Sequence, residues 1–230
     1  VDGVIVHSPR ENDPRIPLLR EIGLPFVVHG RATGTTVPYS WLDVNNRRAF
    51  LRATEYLLDL GHRRIALVNG LEFMDFAIRR RRGYVDALEA RGISPDSALM
   101  SSDEMSEVAG FRAAQRMLAL PDPPTAFLAA SMISGMGVRR AVESEGLVLG
   151  RDISLILLDD DLSYMKNGED KPIFTAVRSS VREAGRLVAE MLLDRIANPD
   201  QPPVEQLLEA ELVEGMSSGP AYRRRAPAAL

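Results

Sequence analysis

The chain has 230 residues, 28 of them lysine or arginine against 32 aspartates and glutamates, for a formal charge of −4, and it contains no cysteine. The missing thiols exclude disulfides, zinc-thiolate sites and cysteine nucleophiles, and the acidic balance argues against this segment forming a nucleic-acid surface by itself. A 45% hydrophobic and 26% charged composition is that of a globular protein, and no apolar run approaches the ~20 residues that cross a bilayer.

In chain order, short apolar β-branched runs alternate with segments of helical period, the pattern of an α/β protein built on parallel sheets. Val4 to His7 reads as a strand, Ile16 to Ile22 as a helix and Phe26 to His29 as a strand. A helix follows from Arg47 to Leu60 and stops at Gly61, a natural residue to follow a helix end. Arg64 to Asn69 is a strand, and Phe76 to Arg91 a helix, with Asp75 as its expected N-cap and Gly92 as its stop. The remaining helices are Glu107 to Leu118, Ile133 to Glu145 and Val181 to Ile196, and the remaining strands are Ala126 to Ala130, Ile153 to Leu158, Phe174 to Val177 and Leu207 to Val213. No internal repeat is present. The end Arg223-Arg224-Arg225-Ala226-Pro227 reads as a solvated tail.

Several chemistries lack their signatures. Gly135-Met136-Gly137 has no third glycine at dinucleotide spacing and no phosphate-binding loop occurs, so neither NAD nor ATP is expected as a cofactor. His7, His29 and His62 show no metal-type spacing with acids, and no nucleophile elbow is present, so neither a metal site nor an enzyme is expected. Two features remain. Arg79 to Arg82 lie near the start of a helix, where cations oppose the macrodipole by roughly 0.3 to 1 kcal/mol each, so at least one should have an anionic or hydroxyl-rich partner. Asp159-Asp160-Asp161 follows an apolar strand, so Asp159 should emerge at the strand's C-terminal end, where open α/β sheets border their ligand crevice. A carboxylate facing a guanidinium fork there suits the vicinal hydroxyls of a sugar; a solvated acidic loop is the alternative.

Five elements in order resemble one family. They are Gly23-Leu24-Pro25-Phe26-Val27-Val28, the helix leading into Gly61-His62-Arg63-Arg64-Ile65, Arg80-x-x-Gly83-Tyr84, Asp152-Ile153-Ser154-Leu155 leading to Asp159-Asp160, and Pro172 to Val177 with Gly185 downstream. Together they are similar to the effector-binding core of the lactose-repressor/galactose-repressor (LacI/GalR) family of bacterial transcription regulators.

The resemblance implies two Rossmann-like parallel-sheet subdomains with a ligand cleft, as in type I periplasmic sugar-binding proteins, with the N-terminal part incomplete. The subdomains would be residues 1–61 with 176–203, and 62–175 with 204–222, leaving 223–230 as a tail. The family's DNA-binding headpiece and first strand-helix units have no counterpart here, so operator DNA would be bound through a segment outside this chain. Effector contacts carried over are Arg80, Asp159, Phe76, Met105, Ser131 and Asn45; Phe76 and Met105 fit core packing equally, and Ser131 fits a helix N-cap. The implied function is a cytoplasmic, homodimeric repressor answering to a mono- or disaccharide. The stretches Trp41 to Asn46 and Phe73 to Arg82 are similar to those of regulators of α-glucoside use. A purine or nucleoside effector is a second option within the family, and a periplasmic sugar-binding protein serving an ABC transporter is the rival on the same fold.

Overall fold

The computed structural model describes residues 1–221, so the expected tail at 223–230 lies outside the described residues. The chain forms β1 (Val4–His7), α1 (Arg15–Glu21), β2 (Phe26–His29), β3 (Ser40–Val44), α2 (Asn46–Asp59), β4 (Ile65–Asn69), α3 (Asp75–Ala90), β5 (Met100–Ser102), α4 (Glu107–Leu118), β6 (Ala126–Ala129), α5 (Met132–Ser144), β7 (Ser154–Asp159), β8 (Thr175–Arg178), α6 (Val181–Ala197), β9 (Glu205–Leu208) and β10 (Glu211–Val213). Two sheets result. The first has the order β1-β2-β3-β9 and is parallel throughout, and the second has the order β10-β8-β7-β6-β4-β5, with β10 alone antiparallel.

The second sheet shows why its strands read as unbroken apolar runs: helices cover both faces. Alternate residues Leu67, Leu128, Ile156 and Leu158 face α2 and α3, packing with Phe50, Leu57 and Tyr84. Their neighbours Val68, Phe127, Leu155 and Leu157 face α4 and α5, packing with Met117, Val138 and Val142. Each such side chain contributes about 1.5 to 3 kcal/mol on burial. The first sheet is thinner. Val6, Phe26 and Val28 pack on Ile16 of α1, while Val27 and Leu42 pack on Ala184 and Val188 of α6.

The sheets divide the chain differently from the partition expected. Helix α2 belongs with the second sheet, because its apolar stripe Ala49, Phe50, Ala53 and Leu57 joins that core. Strand β8 is also in the second sheet, whereas β9 extends the first. The chain therefore passes between subdomains next to Val44, well before residue 61, and after Arg178 and next to Leu208, a few residues beyond the expected 175 and 203. The expected single strand over 207–213 is two, one in each sheet.

Two motifs from the sequence find local explanations. Gly61 follows α2 with φ 90°, a left-handed conformation that glycine adopts without the Cβ clash. His62 beside it is buried, its Nδ1 against Thr125 Oγ1 (2.8 Å) and its Nε2 against Ser154 Oγ and the Gly219 carbonyl (both 3.0 Å), so one imidazole ties the starts of β6 and β7 to the chain's return. Asp75 corrects an expectation. Met74 is the N-cap of α3, and Asp75 sits in the first turn with its carboxylate accepting from Thr33 N (2.8 Å) and Thr33 Oγ1 (2.9 Å), across the gap between subdomains.

Candidate functional site

The two subdomains enclose a cavity at the C-terminal ends of their strands, where loops diverge and helix starts face inward. From the first subdomain come His7, His29, Gly30, Arg31 and Asp43; from the second come Asn46, Phe76, Arg80, Met105 and Asp160. Val181 and Ala184 of α6 add apolar surface.

Arg80 is the centre of the second wall. Placed one turn into α3, it is 8% exposed and is held on three sides: Nε donates to Asn46 Oδ1 (2.8 Å), Nη1 donates to the Ala130 carbonyl (2.9 Å), and the guanidinium stacks over Phe76 (4.6 Å) and Phe50 (5.3 Å). Its Nη2 has no hydrogen-bond partner among the described residues. Burial lowers its pKa to about 10, opposed by the negative charges of Asp160 and Asp43, so it remains a cation at neutral pH. Of the neighbouring arginines, Arg79 donates to Thr33 and Asp75 and Arg81 to Glu72, so three of the four-arginine run have acceptors.

Asp160 lies on the same cavity. Burial raises its pKa, against the pull of Arg80. Among the described residues its carboxylate makes neither a hydrogen bond nor a close ion pair, so a partly desolvated acceptor and a fixed donor line the same cavity and feel each other's charge. Asp159 points elsewhere. Successive strand residues alternate sides, and its Oδ1 accepts from Asp161 N (2.9 Å), closing a turn in which Asp161 takes φ 54°.

A polar chain crosses the cleft. Arg31 Nε donates to Asp43 Oδ2 (2.8 Å) while its guanidinium covers Trp41 at 5.0 Å, Asn46 Nδ2 reaches Asp43 Oδ1 (3.4 Å) and the Val44 carbonyl (3.0 Å), and Asn46 Oδ1 receives Arg80. Burial raises the pKa of Asp43, and Arg31 counters it. On the first wall the rings of His7 and His29 meet Nδ1 to Nδ1 at 3.0 Å.

Among the residues singled out from the sequence, Arg80, Phe76 and Met105 line the cavity. Asn45, Ser131 and Asp159 do not. Asn45 caps α2, accepting from Arg48 N, and its amide donates to Glu209. Ser131 caps α5, accepting from Ser134 N (3.1 Å). In two of these cases the adjacent residue faces inward instead, Asn46 for Asn45 and Asp160 for Asp159. No group of three or more histidines and carboxylates among the described residues could hold a metal.

Residues 54–218 match the periplasmic binding protein-like domain family. The HTH-type transcriptional regulator AglR of Rhizobium meliloti (strain 1021) is 44% identical over 97% of this chain, and the HTH-type transcriptional regulator CelR of Thermobifida fusca is 32% identical over 93% of it. The chain belongs to the LacI/GalR family. A solved complex of the transcriptional regulator CelR with cellobiose superposes with a TM-score of 0.84 at 32% identity, covering 94% of this chain and 66% of that one. A LacI-family regulatory protein from Chloroflexus aggregans gives 0.82 at 28% identity, covering 95% and 77%. The chain spans 63% of the length of AglR and 62% of that of CelR. LacI/GalR membership accounts for the pair of parallel-sheet subdomains with the cavity between them.

Proposed function

We propose that this chain is the effector-binding part of a ligand-responsive, DNA-binding transcriptional repressor, and that a saccharide occupies the cleft. The observation that carries the ligand class is the presence of Arg80 and Asp160 on one cavity: a guanidinium with a free edge and an unpartnered carboxylate suit hydroxyls that donate to the carboxylate and accept from the guanidinium. Phe76 and Met105 beside them offer an apolar surface for the C–H face of a sugar ring. Of the residues named from the sequence, Arg80, Phe76 and Met105 are the proposed contacts, with Asp160 and Asn46 taking the parts first given to Asp159 and Asn45. The ligand is bound and released, not turned over.

A disaccharide, an α-glucoside in particular, is proposed from the resemblance of Trp41 to Asn46 and Phe73 to Arg82 to the corresponding stretches of regulators of α-glucoside use. Named relatives that are transcription regulators, and not transporter components, favour the regulatory reading over the periplasmic one. The working protein is proposed to be a cytoplasmic homodimer that contacts operator DNA through a headpiece outside this chain.

Thermal-shift measurements against methyl α-glucoside, maltose, trehalose, sucrose and cellobiose, followed by calorimetry, test the ligand class. At a hundred times its dissociation constant a ligand adds about 2.7 kcal/mol of stability. At least one of these sugars should raise the melting temperature; a shift with adenosine or guanine and none with any saccharide would overturn the reading.

A further inference from the structure

His7 and His29 end adjacent parallel strands in register, so their side chains leave the same face of the first sheet at the mouth of the cavity. The rings lie 17° from parallel with centroids 4.8 Å apart, and the Nδ1 atoms are 3.0 Å from each other. Two imidazoles in that relation share one proton between their Nδ1 atoms, which fixes opposite tautomers. The donor ring carries its proton on Nδ1 and leaves Nε2 bare. The acceptor ring must carry its proton on Nε2. Neither Nε2 has a partner among the described residues.

We propose that His7 and His29 act as one specificity-determining unit, presenting one Nε2–H donor and one bare Nε2 acceptor to a neutral, hydroxyl-bearing ligand. This rests on the saccharide reading above and extends it to the opposite wall. A hydroxyl donates and accepts at once and satisfies both atoms. A phosphate or carboxylate at neutral pH only accepts, and would leave the bare nitrogen facing a negative charge. The unit therefore discriminates in favour of free sugars and against sugar phosphates.

The surroundings resist protonation of the His29 ring. Burial lowers the pKa of His29, with His7 adding to it. Arg15 Nη2 donates to the His7 carbonyl at 3.3 Å, Arg31 and Asp43 form their ion pair on the same wall, and Arg80 and Asp160 occupy the wall opposite. A proton gained by the pair would put hydrogens on both Nε2 atoms and remove the acceptor.

The experiment uses the saccharide from the panel above that gives the largest thermal shift, together with glucose 6-phosphate, in calorimetry on the wild type, His7→Ala, His29→Ala and the double variant, each first checked for an unchanged melting curve without ligand. Each single variant should weaken binding roughly threefold to tenfold, the worth of a neutral hydrogen bond. The double variant should be little weaker than either, because removing one ring already frees the tautomer of the other. Long-range proton–nitrogen spectra of the imidazoles in the unliganded wild type give a readout independent of any variant: one ring should hold its proton on Nδ1 and the other on Nε2 at neutral pH. Undiminished sugar binding in the variants, losses that multiply in the double variant, two rings of the same tautomer, or tighter binding of glucose 6-phosphate than of the free sugar would each overturn this proposal while leaving the saccharide reading intact. Binding of no saccharide at all would overturn both.

Discussion

Exchanging one oxygen for nitrogen at two adjacent positions separates the aspartate that faces the cavity from the one that shapes its turn. Asp160→Asn keeps the side chain's volume but removes the charge and turns one acceptor into a donor. In a partly desolvated cleft, a hydrogen bond to a charged group is worth about 1.5 to 3 kcal/mol, and a hydroxyl left against the new amide N–H is unsatisfied. The dissociation constant for the saccharide should rise roughly tenfold to a hundredfold, at 1.4 kcal/mol per decade. Asp159→Asn has a different fate. Its Oδ1 accepts from Asp161 N at 2.9 Å, and asparagine closes the same turn with its carbonyl oxygen, so affinity should change by less than about threefold, within the 0.5 kcal/mol or so expected away from a critical contact. Calorimetry on both variants, with a thermal melt to show each is folded, decides the matter. Equal losses, or a larger loss for Asp159→Asn, would show that the side-chain alternation at the end of β7 does not set the ligand contact.

Arg80→Met should abolish measurable saccharide binding by calorimetry, since it removes both the free guanidinium edge and the donor to Asn46 Oδ1; retained affinity would take Arg80 out of the site. Gly83→Ala should lower the denaturant midpoint by an amount equivalent to about 1 to 3 kcal/mol, because a Cβ there would sit 2.0 Å from the Arg47 carbonyl oxygen, and an unchanged urea transition would contradict that close approach. Acidification should weaken the fold from its first steps. Burial holds the pKa of both His29 and His62 below the ordinary 6.5, so as pH falls beneath that value the unfolded rings gain protons that the folded rings resist, and stability must decline. Urea titrations at pH 7.5, 6.5 and 5.5 check the sign, and His62→Asn should flatten the trend. Ligand affinity should fall on acidification before an ordinary aspartate, near 3.8, would protonate, because burial raises the pKa of Asp160 and its protonation removes the acceptor; calorimetry between pH 7 and 4.5 reads this directly.

The layered fold was legible because its strands are covered on both faces. Ile65 to Asn69 and Ser154 to Asp159 are buried along their whole length, and such strands leave unbroken apolar runs in the sequence. Ser40–Val44 carries serine and aspartate among its five residues, because its sheet is thin and its end faces a polar cavity, and it does not read as a strand. Met100–Ser102 is too short to show a period. The subdomain boundary next to Val44 was hidden for a related reason: the apolar stripe of α2 shows that the helix packs, but not on which sheet. Within the site, Arg80 could be found through its motif, whereas choosing between Asp159 and Asp160, or Asn45 and Asn46, requires knowing where the strand or cap ends. That is a matter of one residue, and it decides which side chain faces inward. His7 and His29 were visible as strand ends, but their pairing requires the register of β1 on β2.

The glycines at helix crossings have a mechanical consequence. Gly83 brings α3 against the backbone of α2, and Gly110 and Gly137 do the same for α4 and α5, where added Cβ atoms would lie 2.0 to 2.2 Å from carbonyl oxygens of the facing helix. At these crossing points no side chain lies between the two backbones to re-pick a rotamer and absorb a strain. Such backbone contact favours movement of α2 and α3 together over bending of one away from the other. The chain between the two sheets is by contrast short and free of such crossings next to Val44, Arg178 and Leu208, so a change in the angle between subdomains costs least there.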